Sequence, residues 1–341
     1  MPLKLPGILT INGPVFYKMD TLEVKKAETE PGNGGEKDVP GAYAHLMLET
    51  WKLTGEQRFF KEALNAVKSL EGLGFDLFYQ ANNTAFSAGA LLKLYKETKN
   101  EQYLDLSYVC IAGIMKNMQL WDCNYGYGKY YSTFFAVFPL KDAPYTAVYE
   151  ETEVFTAFHY YLQEAQDIDI LPSVRLLLAE FIRYFIYRAP YYYPVMLPGE
   201  MLAEEVKTGE IDSTAWIPLE DLKDGWEKSG EVGQEVYGAG TALSIVPRQY
   251  FKVPNEDFII FVDYPTSNFK VSKNKSLTFQ VIGIASLNCN FIILPGKTRK
   301  EQKFTTSVNN GKSKWLILKP SNSENTLTFS IAGNQKVKVE W

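Results

Sequence analysis

One phrase occurs twice in the chain, and it constrains the fold more than any other feature. Trp51-Lys-Leu-Thr-Gly-Glu-Gln-Arg-Phe59 returns 44 residues later as Tyr95-Lys-Glu-Thr-Lys-Asn-Glu-Gln-Tyr103. Each copy follows one apolar run of helical spacing and precedes another, so each reads as the tight turn of a helical hairpin. A single αα-hairpin cannot bury its apolar face alone, and self-similarity at such a period signals stacked units. The turns then lie at one end of the array and the longer connections between hairpins at the other.

The arms follow from periodicity. Ala42, Leu46, Glu49 and Leu53 are spaced for a helix that begins near Pro40. Phe59, Phe60, Ala63, Leu64 and Val67 make one stripe from Gln57 to Leu70, which Gly72 and Gly74 end. A second hairpin is expected from Thr84, as N-cap, to Met118, and a third from Thr146 to Ala165 and Pro172 to Ala189. Tyr237 to Ile245 reads as one more small-residue helix.

Beyond Pro254 the period changes from helical to alternating. Phe258–Val262, Ser276–Ile284, Asn290–Leu294, Trp315–Leu318, Thr326–Ile331 and Lys336–Trp341 are short, β-rich and divided by turn residues. Val337, Val339 and Trp341 alternate with Lys336, Lys338 and Glu340, as a half-buried strand requires. The expected domains are an N-terminal loop and strand segment (1–40), a helical domain (41–253) and an antiparallel β-sandwich (254–341).

The links between hairpins are long and uneven: 71–83, 119–145 and 190–236. A tetratricopeptide-like solenoid has shorter, uniform links. Ala85, Ala88, Gly89 and Ala90 suit the crowded inner ring of a toroid. The expected fold is therefore mainly α with a separate β domain: an α/α-hairpin toroid, complete or partial, followed by the sandwich. An open solenoid is the alternative.

Composition narrows the function classes. The 35 basic and 40 acidic residues are interspersed, so no concentrated basic face is expected for nucleic acid. Two His and three Cys without CxxC spacing give no metal site, and no cofactor is expected. No run approaches the ~18 apolar residues of a membrane span, so no membrane insertion is expected, and Met1-Pro-Leu-Lys-Leu-Pro6 does not read as a leader.

The long connections share one end of the array, and their residues suggest a site there. In 120–131, Trp121, Asp122, Asn124, Tyr125, Tyr127 and Tyr130 surround two glycines. Aromatic faces stack on the C–H faces of sugar rings, while carboxylates and amides meet the hydroxyls. The plain alternative is that these rings cap the helical core. Glu150 and Glu153, three residues apart, share one helix face, with Glu151 pointing elsewhere. Acids in a first turn are also favoured by the helix dipole. The functional reading makes one of them a general acid or base, with Asp122 or Asp76 as partner. His45 lies near its helix N-terminus and can serve as base, whereas His159 sits in a run apolar enough for a core histidine. Trp226, Glu235 and Tyr237 form a last candidate set beside Gly238 and Gly240, a lone GxG too weak for a dinucleotide site. The candidate catalytic residues are thus Glu150, Glu153, Asp122, Tyr127 and His45. The candidate substrate-binding residues are Trp121, Asn124, Tyr125, Tyr130, Asp76, Trp226, Glu235 and Tyr237.

The hairpin repeats with a Leu-Thr-Gly turn, the aromatic and acidic open end and the trailing β domain together resemble α/α-toroid carbohydrate-active enzymes, of glycoside hydrolase or polysaccharide lyase type. The resemblance covers roughly residues 40–341 and is one of architecture, with no catalytic motif matched. It implies an oligo- or polysaccharide partner, cleavage by paired acids or Tyr/His-assisted elimination, and a periplasmic or secreted setting. A non-catalytic glycan-binding or scaffold protein on the same fold is the second class. A closed ring in that group needs more helices than are legible here, which leaves room for an N-terminal remainder of a larger chain or a homo-oligomer.

Overall fold

The computed structural model describes residues 16–18, 20–21, 23–26, 36–121, 134–140, 147–189, 234–296, 303–309, 311, 314–323 and 326–341. Among these, the residues up to Ile168 form one compact unit and those from Asp169 onward form a second.

The first unit opens with a small antiparallel ribbon of β1 (Phe16–Tyr17) and β2 (Val24–Lys26). Two helical hairpins follow: α1 (Val39–Thr54) with α2 (Gln57–Ala66), and α3 (Ala81–Thr98) with α4 (Glu101–Lys116). Two 3₁₀ turns, Val67–Leu70 and Gly74–Leu77, carry the chain between them. A second antiparallel ribbon, β3 (Met118–Trp121) with β4 (Phe134–Val137), precedes α5 (Val148–Glu164).

Both copies of the repeated phrase fold alike. Thr54 donates its hydroxyl to the Thr50 carbonyl at 2.8 Å, and Thr98 donates to the Leu94 carbonyl at 2.7 Å. Each hydroxyl then accepts the N–H two residues on, from Glu56 and from Asn100, at 3.2 Å. Gly55 and Lys99 both adopt left-handed backbone, φ 74° and 61°. Their N–H groups return to the carbonyls of Trp51 and Tyr95. A left-handed residue at this place closes the helix and satisfies carbonyls that its last turn leaves open.

The small residues of α3 let it pack on α1, α4 and α5 together. A Cβ on Gly41 of α1 would fall 2.1 Å from the Ser87 Oγ of α3, so the two backbones approach closely. Between α3 and α5 the contacts keep one spacing: Asn82 with Glu153, Gly89 with Tyr160, and Lys93 with Glu164. A constant offset means that the two helices run in the same direction. Their starts therefore lie together and their ends lie together. At the far end Glu164 is shared by Lys93 at 3.6 Å, Lys96 at 3.4 Å and Lys52 at 4.0 Å.

The second unit contains α6 (Pro172–Arg188), α7 (Gln234–Gln249) and ten strands. The strands are β5 (Tyr250–Lys252), β6 (Phe258–Val262), β7 (Thr266–Ser272), β8 (Ser276–Val281), β9 (Asn288–Pro295), β10 (Thr305–Asn309), β11 (Leu316–Ile317), β12 (Ser321–Ser323), β13 (Thr326–Ala332) and β14 (Lys336–Glu340). They form two antiparallel five-stranded sheets, ordered β11-β10-β14-β8-β7 and β12-β13-β9-β6-β5. Leu277, Phe279 and Val281 are buried along β8, as are Cys289, Phe291 and Ile293 along β9. Rings from the two sheets touch: Phe279 meets Phe291 at 5.6 Å, and Phe269 meets Phe251 at 4.9 Å.

Helix α6 belongs to this unit because of buried polar groups. Asp263 accepts hydrogen bonds from the Tyr187 hydroxyl at 2.7 Å, the Asn290 N–H at 2.8 Å and the Asn290 amide at 2.9 Å. Arg183 lies 3.6 Å from Asp263 and donates to the Asn288 carbonyl at 2.9 Å. The Tyr264 hydroxyl donates to Glu180.

Several expectations change. Thr84 is not the cap of α3: the helix begins at Ala81, and the Thr84 hydroxyl is spent on Asp38 inside the first turns. The link 119–145 is not loop throughout, since it contains most of β3 and all of β4. The expected step at 253–254 falls close to where helix gives way to strand, but the compact units divide after Ile168. The helices expected as a third hairpin, α5 and α6, thus belong to different units. Among the described residues no helix is long and apolar enough to cross a membrane.

Candidate functional site

The shared start of α3 and α5 is built around a buried carboxyl group, Asp38, which precedes α1. Its Oδ2 accepts the Gln80 N–H at 2.8 Å, the Tyr79 N–H at 3.3 Å and the Thr84 hydroxyl at 2.7 Å. The first turn of a helix leaves N–H groups without partners, and this carboxylate supplies an acceptor from 42 residues away. The other oxygen, Oδ1, is buried without a partner. Burial pushes Asp38 up to about 7; its three hydrogen bonds oppose the rise and the charge of Glu36 adds to it.

Gln80 is the next link. Its backbone is held by Asp38 and bridges to Leu140, and the neighbouring Ala81 N–H donates to Pro139 at 2.9 Å. Its side chain donates from Nε2 to Glu150 Oε1 at 3.1 Å. Asn82, buried in the first turn of α3, donates from Nδ2 to Glu153 Oε2 at 2.5 Å. Its Oδ1 is buried and unpartnered. Glu151 turns the other way, as its position on the helix requires, and accepts the Val137 N–H at 3.0 Å. That bond ties α5 to β4 and aims Glu150 and Glu153 at α3.

Burial raises Glu150 above the usual carboxylate range, and the nearby charges of Glu153 and Glu151 add to it. The bond from Gln80 and the backbone bond at Glu150 work against that rise. A carboxyl group that keeps its proton to higher pH, beside a second carboxylate and two oriented amides, has the parts for proton transfer to an oxygen of a polar ligand.

Among the predicted site residues, Glu150 and Glu153 are brought together. His45 is not with them. Its ring lies 4.7 Å from Tyr160, which is two helical turns beyond Glu153, about 10 Å along α5. Asp76 is exposed on the 3₁₀ turn that leads to α3. The Trp121 backbone pairs with Phe134 in the β3–β4 ribbon. Glu235 and Tyr237 lie in α7, in the second unit. Asp122, Asn124, Tyr125, Tyr127, Tyr130 and Trp226 lie outside the described residues. Asp38, Gln80 and Asn82 are absent from the predicted set; the amide-rich run Gln80-Ala-Asn-Asn83 at the start of a small-residue helix is a signal for Gln80 and Asn82, whereas Asp38 has none in the sequence. Among the described residues no three His, Cys, Asp or Glu side chains gather as a metal-binding group.

No family model matches the chain, and no curated protein matches it. Solved structures do. A family 76 glycoside hydrolase (mannosidase) from Bacteroides thetaiotaomicron is similar at 14% identity and a TM-score of 0.37, over 62% of this chain and 55% of that one. A family 88 glycosyl hydrolase from Bacteroides vulgatus is similar at 14% identity and a TM-score of 0.38, over 60% and 53%. A polysaccharide lyase is similar at 13% identity and a TM-score of 0.31, over 59% and 70%. The chain spans about half the length of the first two. The structures it resembles are carbohydrate-active enzymes, as the hairpin repeats and acidic end led one to expect.

Proposed function

We propose that the chain is a carbohydrate-active protein, a glycoside hydrolase or polysaccharide lyase, with its cleft where α3 and α5 begin. The observation that carries this reading is the pair Glu150 and Glu153 on one face of α5, each held by an amide donor from the start of α3. Glycosidic cleavage needs one carboxyl group to protonate the leaving oxygen and a second to act as base or nucleophile. Glu150, raised by burial, is suited to the first role. Glu153 takes the second, and Gln80 and Asn82 orient both. In the sequence, Asp122 and the rings of Tyr125, Tyr127 and Tyr130 supply the carboxylate and aromatic groups that such a sugar site uses. In this reading α1, α3 and α5 are inner arms of a toroid-like ring, and the two sheets form a β-sandwich. The shared direction of α3 and α5 and the ring contacts between the sheets support it.

Turnover of a panel of oligosaccharides and polysaccharides tests the reading. Glu150→Gln and Glu153→Gln should each lower kcat by about 100-fold or more, the usual worth of a positioned acid or base. Unchanged turnover in those two variants and in Asp122→Asn and Tyr127→Phe would sink the assignment. A non-catalytic glycan-binding role is the alternative, favoured by the fact that both carboxylates already accept amide hydrogen bonds. Saturable glycan affinity without any product identifies it.

A further inference from the structure

We propose that His45, Glu49 and Tyr160 form a second polar site, distinct from the Glu150 end, that binds one hydroxyl oxygen, of water or of a polyol. Three polar atoms there are buried without a hydrogen-bond partner: His45 Nδ1, Glu49 Oε1 and the Tyr160 hydroxyl. Such atoms cost free energy until something satisfies them. They are also gathered in one place. The His45 and Tyr160 rings meet edge to face at 4.7 Å, and the Phe86 ring also packs on His45 at 4.9 Å. Glu49 follows His45 by four residues on the same face of α1. Burial raises the Tyr160 hydroxyl, and the charge of Glu49 and its hydrogen-bonding approach add to the rise; the two groups are therefore close, but their contact falls short of hydrogen-bond geometry. Gly89 of α3 makes room for this ring: a Cβ there would lie 2.9 Å from it.

The donor and acceptor count selects the occupant. The Glu49 carboxylate only accepts, the Tyr160 hydroxyl can donate, and His45 Nδ1 does either by tautomer. One hydroxyl oxygen that donates to Glu49 and accepts from Tyr160 and His45 satisfies all three. Water, with its second hydrogen, also serves the other tautomer. An anion would face the Glu49 charge. A cation is disfavoured because Lys52 already lies 3.9 Å from the other Glu49 oxygen, and Lys93 and Lys96 hold Glu164 one turn beyond Tyr160. Glu49 links the site to the surface: its Oε1 is buried, while its side chain as a whole is 35% exposed.

A crystal structure that shows ordered waters, with and without methyl α-mannoside, tests this together with imidazole ¹⁵N resonances in solution. The chain has two histidines, so His45 is readily assigned. The expected result is one oxygen within hydrogen-bonding distance of all three atoms, and a His45 resonance that moves in Tyr160→Phe. If the sugar displaces that oxygen and shifts His45, with affinity about tenfold weaker in Tyr160→Phe, the source is a polyol hydroxyl. If the oxygen stays and His45 does not respond to sugar, the source is water. Direct bonding of Tyr160 to Glu49 with no oxygen between them would overturn the proposal, as would a His45 resonance indifferent to Tyr160→Phe. Should Tyr160→Phe fail to fold, Glu49→Gln gives the same readout. Neither variant touches Glu150, so this test and the turnover test fail independently.

Discussion

A carboxyl group that accepts three hydrogen bonds is ordinarily a stronger acid than a free one, but Asp38 goes the other way. Its side chain is wholly buried, and the loss of solvent outweighs the donors from Gln80, Thr84 and Tyr79. The sign of the consequence follows from linkage. The folded chain prefers the protonated form, since the pKa rises from 3.8 to about 7 on folding. The stability this contributes is fully present below pH 3.8 and is lost as the pH rises through about 7. At about 1.4 kcal/mol per pH unit, the loss amounts to about 4 kcal/mol. Asp38→Asn keeps an acceptor for the start of α3 and cannot ionise. The variant should therefore gain on the parent between pH 4 and pH 8 in urea denaturation, by up to that amount. A stability difference that is the same at both pH values would count against the buried-acid account.

The hairpin turns show what one element owes to local chemistry. The repeat was legible because Thr54 and Thr98 use their hydroxyls identically and because both turns need a left-handed residue after the helix. Only the first copy has glycine there. Lys99 carries a Cβ in a backbone region that costs an L-residue roughly 1–2 kcal/mol. Lys99→Gly should accordingly raise stability by about 1 kcal/mol, and Gly55→Lys should lower it by a similar amount, both read from denaturation midpoints. Equal midpoints in all three proteins would mean that the turns do not share an energy as they share a geometry. Local signals of this kind made the hairpins and the alternating strands visible. The candidate site was visible only in part. The i,i+3 spacing of Glu150 and Glu153 follows from helix periodicity. Their partners Gln80 and Asn82 lie 70 and 71 residues away, a pairing that depends on how α3 and α5 pack. Asp38 was invisible for the same reason, since its partners lie from 41 to 46 residues on.

At the scale of the whole molecule, the assignment of α6 to the sheet-containing unit is the step that no periodicity could reveal. Its helical pattern is like that of the other arms, but Glu180, Arg183 and Tyr187 reach Tyr264, Asn288 and Asp263 across 76 to 105 residues of chain. Asp263 is completely buried, and burial raises its pKa against the pull of Tyr187, Arg183 and Asn290. Removing one member of such a pair leaves the other charge uncompensated, at a cost of about 3–5 kcal/mol. Arg183 is 23% exposed and Asp263 keeps its bonds from Tyr187 and Asn290, so Arg183→Met should fall at the low end, about 3 kcal/mol. Because the network lies inside the second unit, hydrogen exchange should locate the loss. Protection should fall in α6 and in β6 through β9, while α3 keeps its protection. Adding Asp263→Asn should restore part of the stability, because the charge left stranded by the first change is then gone. Loss of protection spread evenly over α3 and the sheets would instead mean that the two units unfold as one.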